Sequence, residues 1–278
     1  MLIELLIKNV SHAYHGVPAL SSLNLEHKGT GIVALIGANG AGKSTLLRSI
    51  VGAQKLSTGK ILLNQSELCP ESPYRKNIGY LSEQNPLPNS LSVEEVLKTS
   101  ALLHQVPYTQ HQVQIEESLQ ACDLIPLRKR YCNTLSRGQR QRLGLASAII
   151  HQPQVLVLDE VHSGLDPMQT KAMNSILRSI AKQTLIILST HRLHEVEKLA
   201  DYVWVLHHGE LLKVSSISAW QKESISSDTA LSSDTVLDSS PDSNQISNQI
   251  GANIYSTSKD SPSWSLENAY IELITSIN

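Results

Sequence analysis

A mainly parallel α/β sheet is expected from this chain on three grounds. Ile32–Ile36, Val155–Leu158 and Thr184–Leu188 are continuous apolar runs of strand length, as strands buried on both faces require. Helical stretches with legible ends alternate with them, which is the order that parallel strands and their crossovers need. The 278 residues, 41% hydrophobic and 17% charged, suit a globular chain with an ample core. Phe is absent, so Leu, Ile and Val must pack that core.

Along the chain, an N-terminal antiparallel β part precedes the strand Ile32–Ile36, which leads into a helix over Lys43–Val51. Ser92 and Glu95 match the S-x-x-E capping box and open a helix through about Gln105. The stretch from about Pro86 to Tyr131 is helical without a clear strand. It reads as a helical subdomain inserted into the α/β core, reaching about 86–150 with the helix that Ser136 caps. Asp166-Pro167 reads as an N-cap followed by Pro at N1, starting a helix through about Lys182. His207-His208-Gly209 reads as a hairpin turn between Val203–Leu206 and Leu211–Val214.

One domain over residues 1–220 is therefore expected. Residues 221–263 hold thirteen Ser and six acids, too little apolar area to offset ordering entropy, and read as a flexible linker. In 264–278, Trp264, Leu266, Ala269, Tyr270, Leu273 and Ile274 recur at near-helical spacing, as a short amphipathic segment would.

Formal net charge is −2, but the first 220 residues carry 21 basic and 17 acidic side chains, so the acidic excess lies beyond them. Neither balance gives the strongly basic surface on which general nucleic-acid binding rests, and no nucleic-acid partner is expected. Arg128 and Arg130, and Arg140 and Arg142, read as solvated faces. No run reaches the ~18–20 apolar residues of a spanning helix. Met1-Leu2-Ile3-Glu4-Leu5 lacks the basic start of a signal peptide. Cys69, Cys122 and Cys132 have no C-x-x-C spacing and read as idle thiols of a reducing compartment, so a cytoplasmic location is expected. The His191/His194 and His207/His208 pairs have no suitably spaced third metal ligand.

The chemistry concentrates in two motifs. Gly37-Ala38-Asn39-Gly40-Ala41-Gly42-Lys43-Ser44-Thr45 satisfies G-x-x-x-x-G-K-[ST] between a strand and a helix, the context of a phosphate-binding loop. Its glycines let backbone N–H groups wrap phosphates, with the helix N-terminus adding partial positive charge. Lys43 supplies a point charge and Ser44 a hydroxyl for Mg²⁺. Downstream, Val155-Leu156-Val157-Leu158 ends in Asp159-Glu160, and a strand buried on both faces does not finish in acids without a task for them. Asp159 suits Mg²⁺, and Glu160 suits a general base for water. Taken alone, the pair is also compatible with two solvated acids at a strand end.

Together with Leu135-Ser136-Arg137-Gly138-Gln139, Ser163-Gly164-Leu165-Asp166 and Ser189-Thr190-His191, these motifs resemble the ATP-binding-cassette (ABC) ATPases over roughly residues 1–215. The resemblance implies a P-loop NTPase core that binds ATP with Mg²⁺. It implies that Tyr14 stacks on adenine, and that Ser136, Gly138 and Gln139 reach the nucleotide held by a partner subunit. Asp166 would communicate across that dimer, and His191 would contact the γ-phosphate. Read alone, Tyr14 is a packed strand-end ring and His191 an ordinary loop-end histidine. Where the family usually places a Gln sensing Mg²⁺ and water, this chain has Glu83 followed by Gln84, and either suits the role. Arg137 stands where the family usually has Gly, and Val161-His162 where it usually has Pro-Thr.

One phosphate loop and one copy of the family's signature, Leu135–Gln139, per chain imply a homodimer, or a dimer with a similar ATPase subunit, working at the inner face of the membrane on a separate permease. The permease contact is expected around residues 83–105. Ser265-Leu266-Glu267-Asn268-Ala269-Tyr270 is similar to the closing SLE-x-x-[FY] segment of ABC-2-type export ATPases and tilts the reading toward export. The alternative is a soluble ABC ATPase acting on ribosomes or DNA. Against it stand the single cassette and the roughly ninety residues between Thr45 and Leu135, too few for a long coiled coil.

Overall fold

The computed structural model describes residues 3–231 and 264–277. Leu5 and Ile7 are buried while Lys8 is exposed, so β1 (Glu4–Tyr14) turns one face to a core. Asn9, with φ 48°, interrupts that alternation where the register against β2 (Val17–Lys28) shifts. The chain then crosses to a second sheet as β3 (Gly31–Ile36), runs through the Gly37–Gly42 loop into α1 (Lys43–Ile50), and returns as β4 (Thr58–Leu63) and β5 (Ser66–Glu67). The first sheet is antiparallel in the order β2-β1-β4-β5, as expected for the N-terminal β part.

The second sheet has six strands in the order β10-β9-β3-β8-β7-β6. Its members after β3 are β6 (Ile78–Leu81), β7 (Val155–Asp159), β8 (Leu185–Ser189), β9 (Tyr202–His207) and β10 (Glu210–Ser216). All pairings are parallel except that of the edge strand β10 with β9. Every residue of β7 and β8 is buried, the double-sided burial that their apolar runs anticipate. One core cluster joins the two sheets, with Leu5, Ile7 and Ile61 beside Val33, Leu46, Val157 and Trp204.

Between β6 and β7 lies the expected helical insertion: α2 (Val93–Leu103), α3 (His111–Ala121) and α4 (Arg137–Ile149). Ser92 and Glu95 form the full capping box on α2. The part of the insertion that holds α2 and α3 is closed by a narrow neck, where Ser92 bridges Tyr131, Val93 N–H donates to Arg130 O at 2.9 Å and Cys132 N–H to Leu91 O at 2.9 Å.

Of the arginines expected on solvated faces Arg130 is exposed, while Arg128, Arg140 and Arg142 instead bind this region together. Arg140 donates to the carbonyls of Cys132 (2.8 Å) and Leu87 (3.3 Å) and to Asn89 Oδ1 (3.2 Å). Arg142 pairs with Asp123 at 2.5 Å, and Arg128 pairs with Glu116. The physical reason is that turns between short helices leave carbonyls unpaired, and a guanidinium with five donors satisfies several at once.

The chain divides into two compact units, residues 1–217 and 218–278. A helix, α7 (Ile217–Leu231), crosses that boundary and runs on into the stretch expected as linker. Ala219, Gln221, Lys222 and Glu223 are good helix formers, and a composition averaged over the whole Ser-rich stretch conceals them. The linker expectation for residues 232–263 lies outside the described residues. The expected C-terminal segment is a helix, α8 (Leu266–Thr275), with Ser265 as its N-cap and Leu266 and Ala269 buried.

Two imidazoles meet where the insertion rejoins the sheet. His104, just past α2, and His151, just past α4, stack at 3.8 Å with planes 5° apart. Burial, and then the charge of its neighbour, push His151 down to about 4; burial also lowers His104. Unfolded imidazoles protonate near ~6.5, so this pair contributes stability above that pH and loses it as pH falls toward the folded value. Lowering the pH from 7 to 5 is therefore predicted to depress the melting temperature by several degrees, followed by circular dichroism. His151→Gln should flatten that dependence.

Candidate active site

The carboxyl ends of three parallel strands set the geometry. Leu35 of β3 and Asp159 of β7 both register against Ser189 of β8, so the three tips lie level. Open α/β sheets bind ligands at such ends. Asp159 is 4% exposed, and burying a carboxylate is costly unless it is hydrogen-bonded. Its Oδ1 accepts from Ser189 Oγ at 2.6 Å and, at 3.4 Å, from Ser44 Oγ of α1. Ser189 Oγ in turn accepts the Glu160 N–H at 3.0 Å.

Glu160 has φ 51°, a left-handed conformation that costs energy for a residue with a side chain. The turn lifts its carboxylate off the strand line, and His191 Nδ1 lies 3.2 and 3.1 Å from its two oxygens. The sequence-predicted residues Asp159, Glu160 and His191 are thus brought together.

Beside them runs the phosphate loop. A Cβ on Gly37 would run into the Leu206 carbonyl oxygen, and one on Gly42 would lie 2.5 Å from the Ala19 carbonyl oxygen. Gly42 is the N-cap of α1 at φ 102°, with no side-chain cap, so the first N–H groups of the helix face the loop. Ala38, Asn39 and Gly40 form an exposed crest above the buried Ala41, and Ser44 and Thr45 are half-buried. Lys43 Nζ donates to the loop's own carbonyls, Gly37 O at 2.7 Å and Ala38 O at 2.9 Å. Burial lowers the Lys43 pKa, and the negative charges of Glu160 and Asp159 oppose that shift. The donor set at Ser44 and Asp159, one hydroxyl and one carboxylate, is hard oxygen chemistry that fits Mg²⁺.

A sequence profile for the family described as ABC transporter matches residues 20–163, just over half of the chain. The chain belongs to the ABC transporter family. Among curated relatives of this ABC chain, the methionine import ATP-binding protein MetN 1 of Bacillus cereus is 33% identical over 171 residues, 59% of this chain and 49% of that protein. The bacitracin transport ATP-binding protein BcrA of Bacillus licheniformis is 41% identical over 101 residues, 36% of this chain and 33% of its own length. The sulfate/thiosulfate import ATP-binding protein CysA of Synechocystis is 32% identical over 215 residues, 77% of this chain and 61% of that protein. The chain thus spans about half the length of the curated relatives it matches first. The solved structure of cbiO1 from Clostridium perfringens, part of the ABC transporter complex cbiONQ, superposes with a TM-score of 0.71 at 26% identity, covering 82% of this chain and 94% of that one. A second solved structure, of an ATP-binding subunit of an ABC transporter, shares the fold with a TM-score of 0.73 at 24% identity, over 97% of this chain and 99% of that one.

The remaining residues that the ABC resemblance singles out stand apart from this centre. Tyr14 is 41% exposed at the end of β1, which removes the packed-ring reading. Its ring meets His12 edge-on at 4.6 Å, and its hydroxyl donates to Gln54 Oε1 at 2.7 Å. Gln54 also donates to Thr45 O (3.2 Å) and Ser49 Oγ (2.9 Å), so the exposed ring is tied to the helix that follows the phosphate loop. Ser136 and Gln139 form a reciprocal capping box at the start of α4. Gly138 is buried beneath Gln169, whose Oε1 would lie 2.8 Å from a Cβ placed there. Asp166 caps α5 (Pro167–Ile180), accepting the Gln169 N–H at 2.8 Å. Glu83 and Gln84 are both exposed beyond β6 and line a cavity of about 380 Å³ with Asn85, Arg137, Arg140, Gln141 and Ser163. Neither Ser44 nor Asp159 lines that cavity.

Sequence reasoning assigned no task to Ser189 or Gln54. A polar residue at the last position of an apolar strand is the signal for Ser189. Gln54 gives none, because its partners come from distant segments. Ser189→Ala leaves the Asp159 carboxylate and the Glu160 N–H short of a partner, and is predicted to cost about 1–3 kcal/mol in urea-denaturation stability.

Proposed function

We propose that this chain binds and hydrolyses ATP as the motor subunit of an ABC transporter, driving export through a separate membrane permease. The observation that carries the hydrolytic part is the Glu160–His191 contact beside Asp159 and Ser44, one step from the Gly37–Thr45 loop. The export direction is supported by the C-terminal Ser265–Tyr270 segment, which folds as the capped start of α8. Relatives named for import and for bacitracin transport flank the chain on both sides of that choice.

In this reading the loop amides and the α1 N-terminus hold the β- and γ-phosphates of ATP, and Lys43 exchanges the Gly37 and Ala38 carbonyls for phosphate oxygens. Ser44 and Asp159 would hold Mg²⁺, which would supply positive charge against the phosphate oxygens. Glu160 takes a proton from water onto its carboxylate as that water attacks the γ-phosphorus and the bond to the β-phosphate oxygen breaks. An N–H on His191 Nδ1 holds the carboxylate in place for this. Tyr14 offers its exposed face to adenine. Glu83 or Gln84 closes the site on the side of the insertion.

Ser136, Gly138 and Gln139 reach the nucleotide of a second copy, or of a similar ATPase subunit, and Asp166 lies at that junction. No helix among the described residues is long and apolar enough to cross a membrane, in keeping with a peripheral subunit on the cytoplasmic face. The permease contact falls around residues 83–105, and no nucleic acid takes part.

Glu160→Gln is expected to bind ATP with near-unchanged affinity, lose at least a hundredfold in turnover and accumulate as a dimer on size-exclusion chromatography with ATP. Undiminished turnover would remove Glu160 as the base. Affinity purification from membranes is expected to bring down an integral membrane protein. Co-fractionation with ribosomes or DNA would point to the non-transport alternative.

A further inference from the structure

The segment after Glu160 and the helix after His191 are joined a second time, by a buried histidine. His162 is 3% exposed, between α5 and α6 (Leu193–Leu199). Its Nε2 lies 2.7 Å from Asn174 Oδ1 on α5. Its Nδ1 lies 3.7 Å from Glu195 Oε2 on α6, too far for a hydrogen bond. Both of these atoms are buried and without a hydrogen-bond partner. Glu195 Oε1, by contrast, accepts from Arg192 Nη1 at 3.0 Å and lies 3.9 Å from His194 Nε2. Once Nδ1 carries the ring proton these two buried atoms are donor and acceptor, and facing each other just out of reach they fit a bond made in another state of the protein.

The placement says which state. The contact spans the same two segments as Glu160–His191, two residues further along one and four along the other. Arg192, at the N-cap of α6, is the other charged group facing the ring. With Asn174 turned so that its amide donates to Nε2, a neutral His162 carries its proton on Nδ1 and donates to Glu195. We infer that His162 is a positioning residue: its hydrogen bond to Glu195 closes when nucleotide engages the site, and fixes the spacing of Glu160 and His191. The inference rests on the hydrolytic reading above. His162 touches neither substrate nor reacting atoms and acts through those two groups.

The test measures ATP turnover, KM and nucleotide affinity of the full chain. His162→Gln keeps an acceptor toward the Asn174 amide and loses the donor toward Glu195, whereas His162→Asn keeps an amide donor at the Nδ1 position. We expect His162→Gln and Glu195→Ala each to lower kcat about tenfold at unchanged KM, and the double variant to lose no more than either. His162→Asn should retain most of kcat. Independently, ¹⁵N NMR of the wild-type imidazole should show Nδ1 becoming the protonated, hydrogen-bonded nitrogen on addition of a non-hydrolysable ATP analogue with Mg²⁺. Additive losses in kcat, wild-type turnover by His162→Gln, or an Nδ1 signal unmoved by the analogue would each overturn the inference. Absence of ATP binding and turnover in the wild type would instead overturn the hydrolytic reading, and this inference with it.

Discussion

A carboxylate with almost no exposure, at the tip of a strand with no polar residue before it, constrains everything around it. Burying a carboxylate is costly unless it is hydrogen-bonded, and the bonds to Asp159 come from Ser189 on the neighbouring strand and Ser44 on the first turn of α1. Both donors depend on register. A shift of β8 by one residue would turn Ser189 to the opposite face and break the alignment of its hydroxyl with Asp159. The parallel sheet, the Gly-rich turn that aims α1, and the strained backbone of Glu160 all serve that alignment.

Around this fixed point, polar residues carry two tasks at once. Ser136, Gln139 and Asp166 terminate helices of their own chain, while the ABC resemblance gives them a role toward a second subunit. A cap is a good place for such a role, because a helix N-terminus already favours negative charge and its side-chain oxygens already face outward. Arg137 leans over Gly164 and donates to Ser163 Oγ at 3.4 Å. The signature and the Ser163–Asp166 segment therefore meet within one chain through the residue that departs from the usual glycine.

The sheet was legible in the sequence because double-sided burial leaves an unambiguous trace. Val155–Leu158 and Thr184–Leu188 fall within one residue of β7 and β8 at each end. The helix starts were legible because caps are local: Ser92, Ser136 and Asp166 need only residues three positions away. Contacts between distant segments were not. The carbonyls that Arg140 binds belong to turns on two other parts of the insertion. The Tyr14–Gln54 and His162–Glu195 pairs are joined only by the fold. Composition misled at 221–231, where serines counted over a long window outweighed a short run of helix formers.

The neck of the helical insertion has a consequence for how such a chain changes over time. Leu91 and Cys132 lie side by side, so the segment between them begins and ends at one point, while α4 and the His104–His151 stack hold it against the rest of the unit. A segment whose ends meet at one point can change in length at its exposed turns without disturbing a single strand pairing. Inheritance can then alter what the chain docks onto while leaving its strand tips as they are.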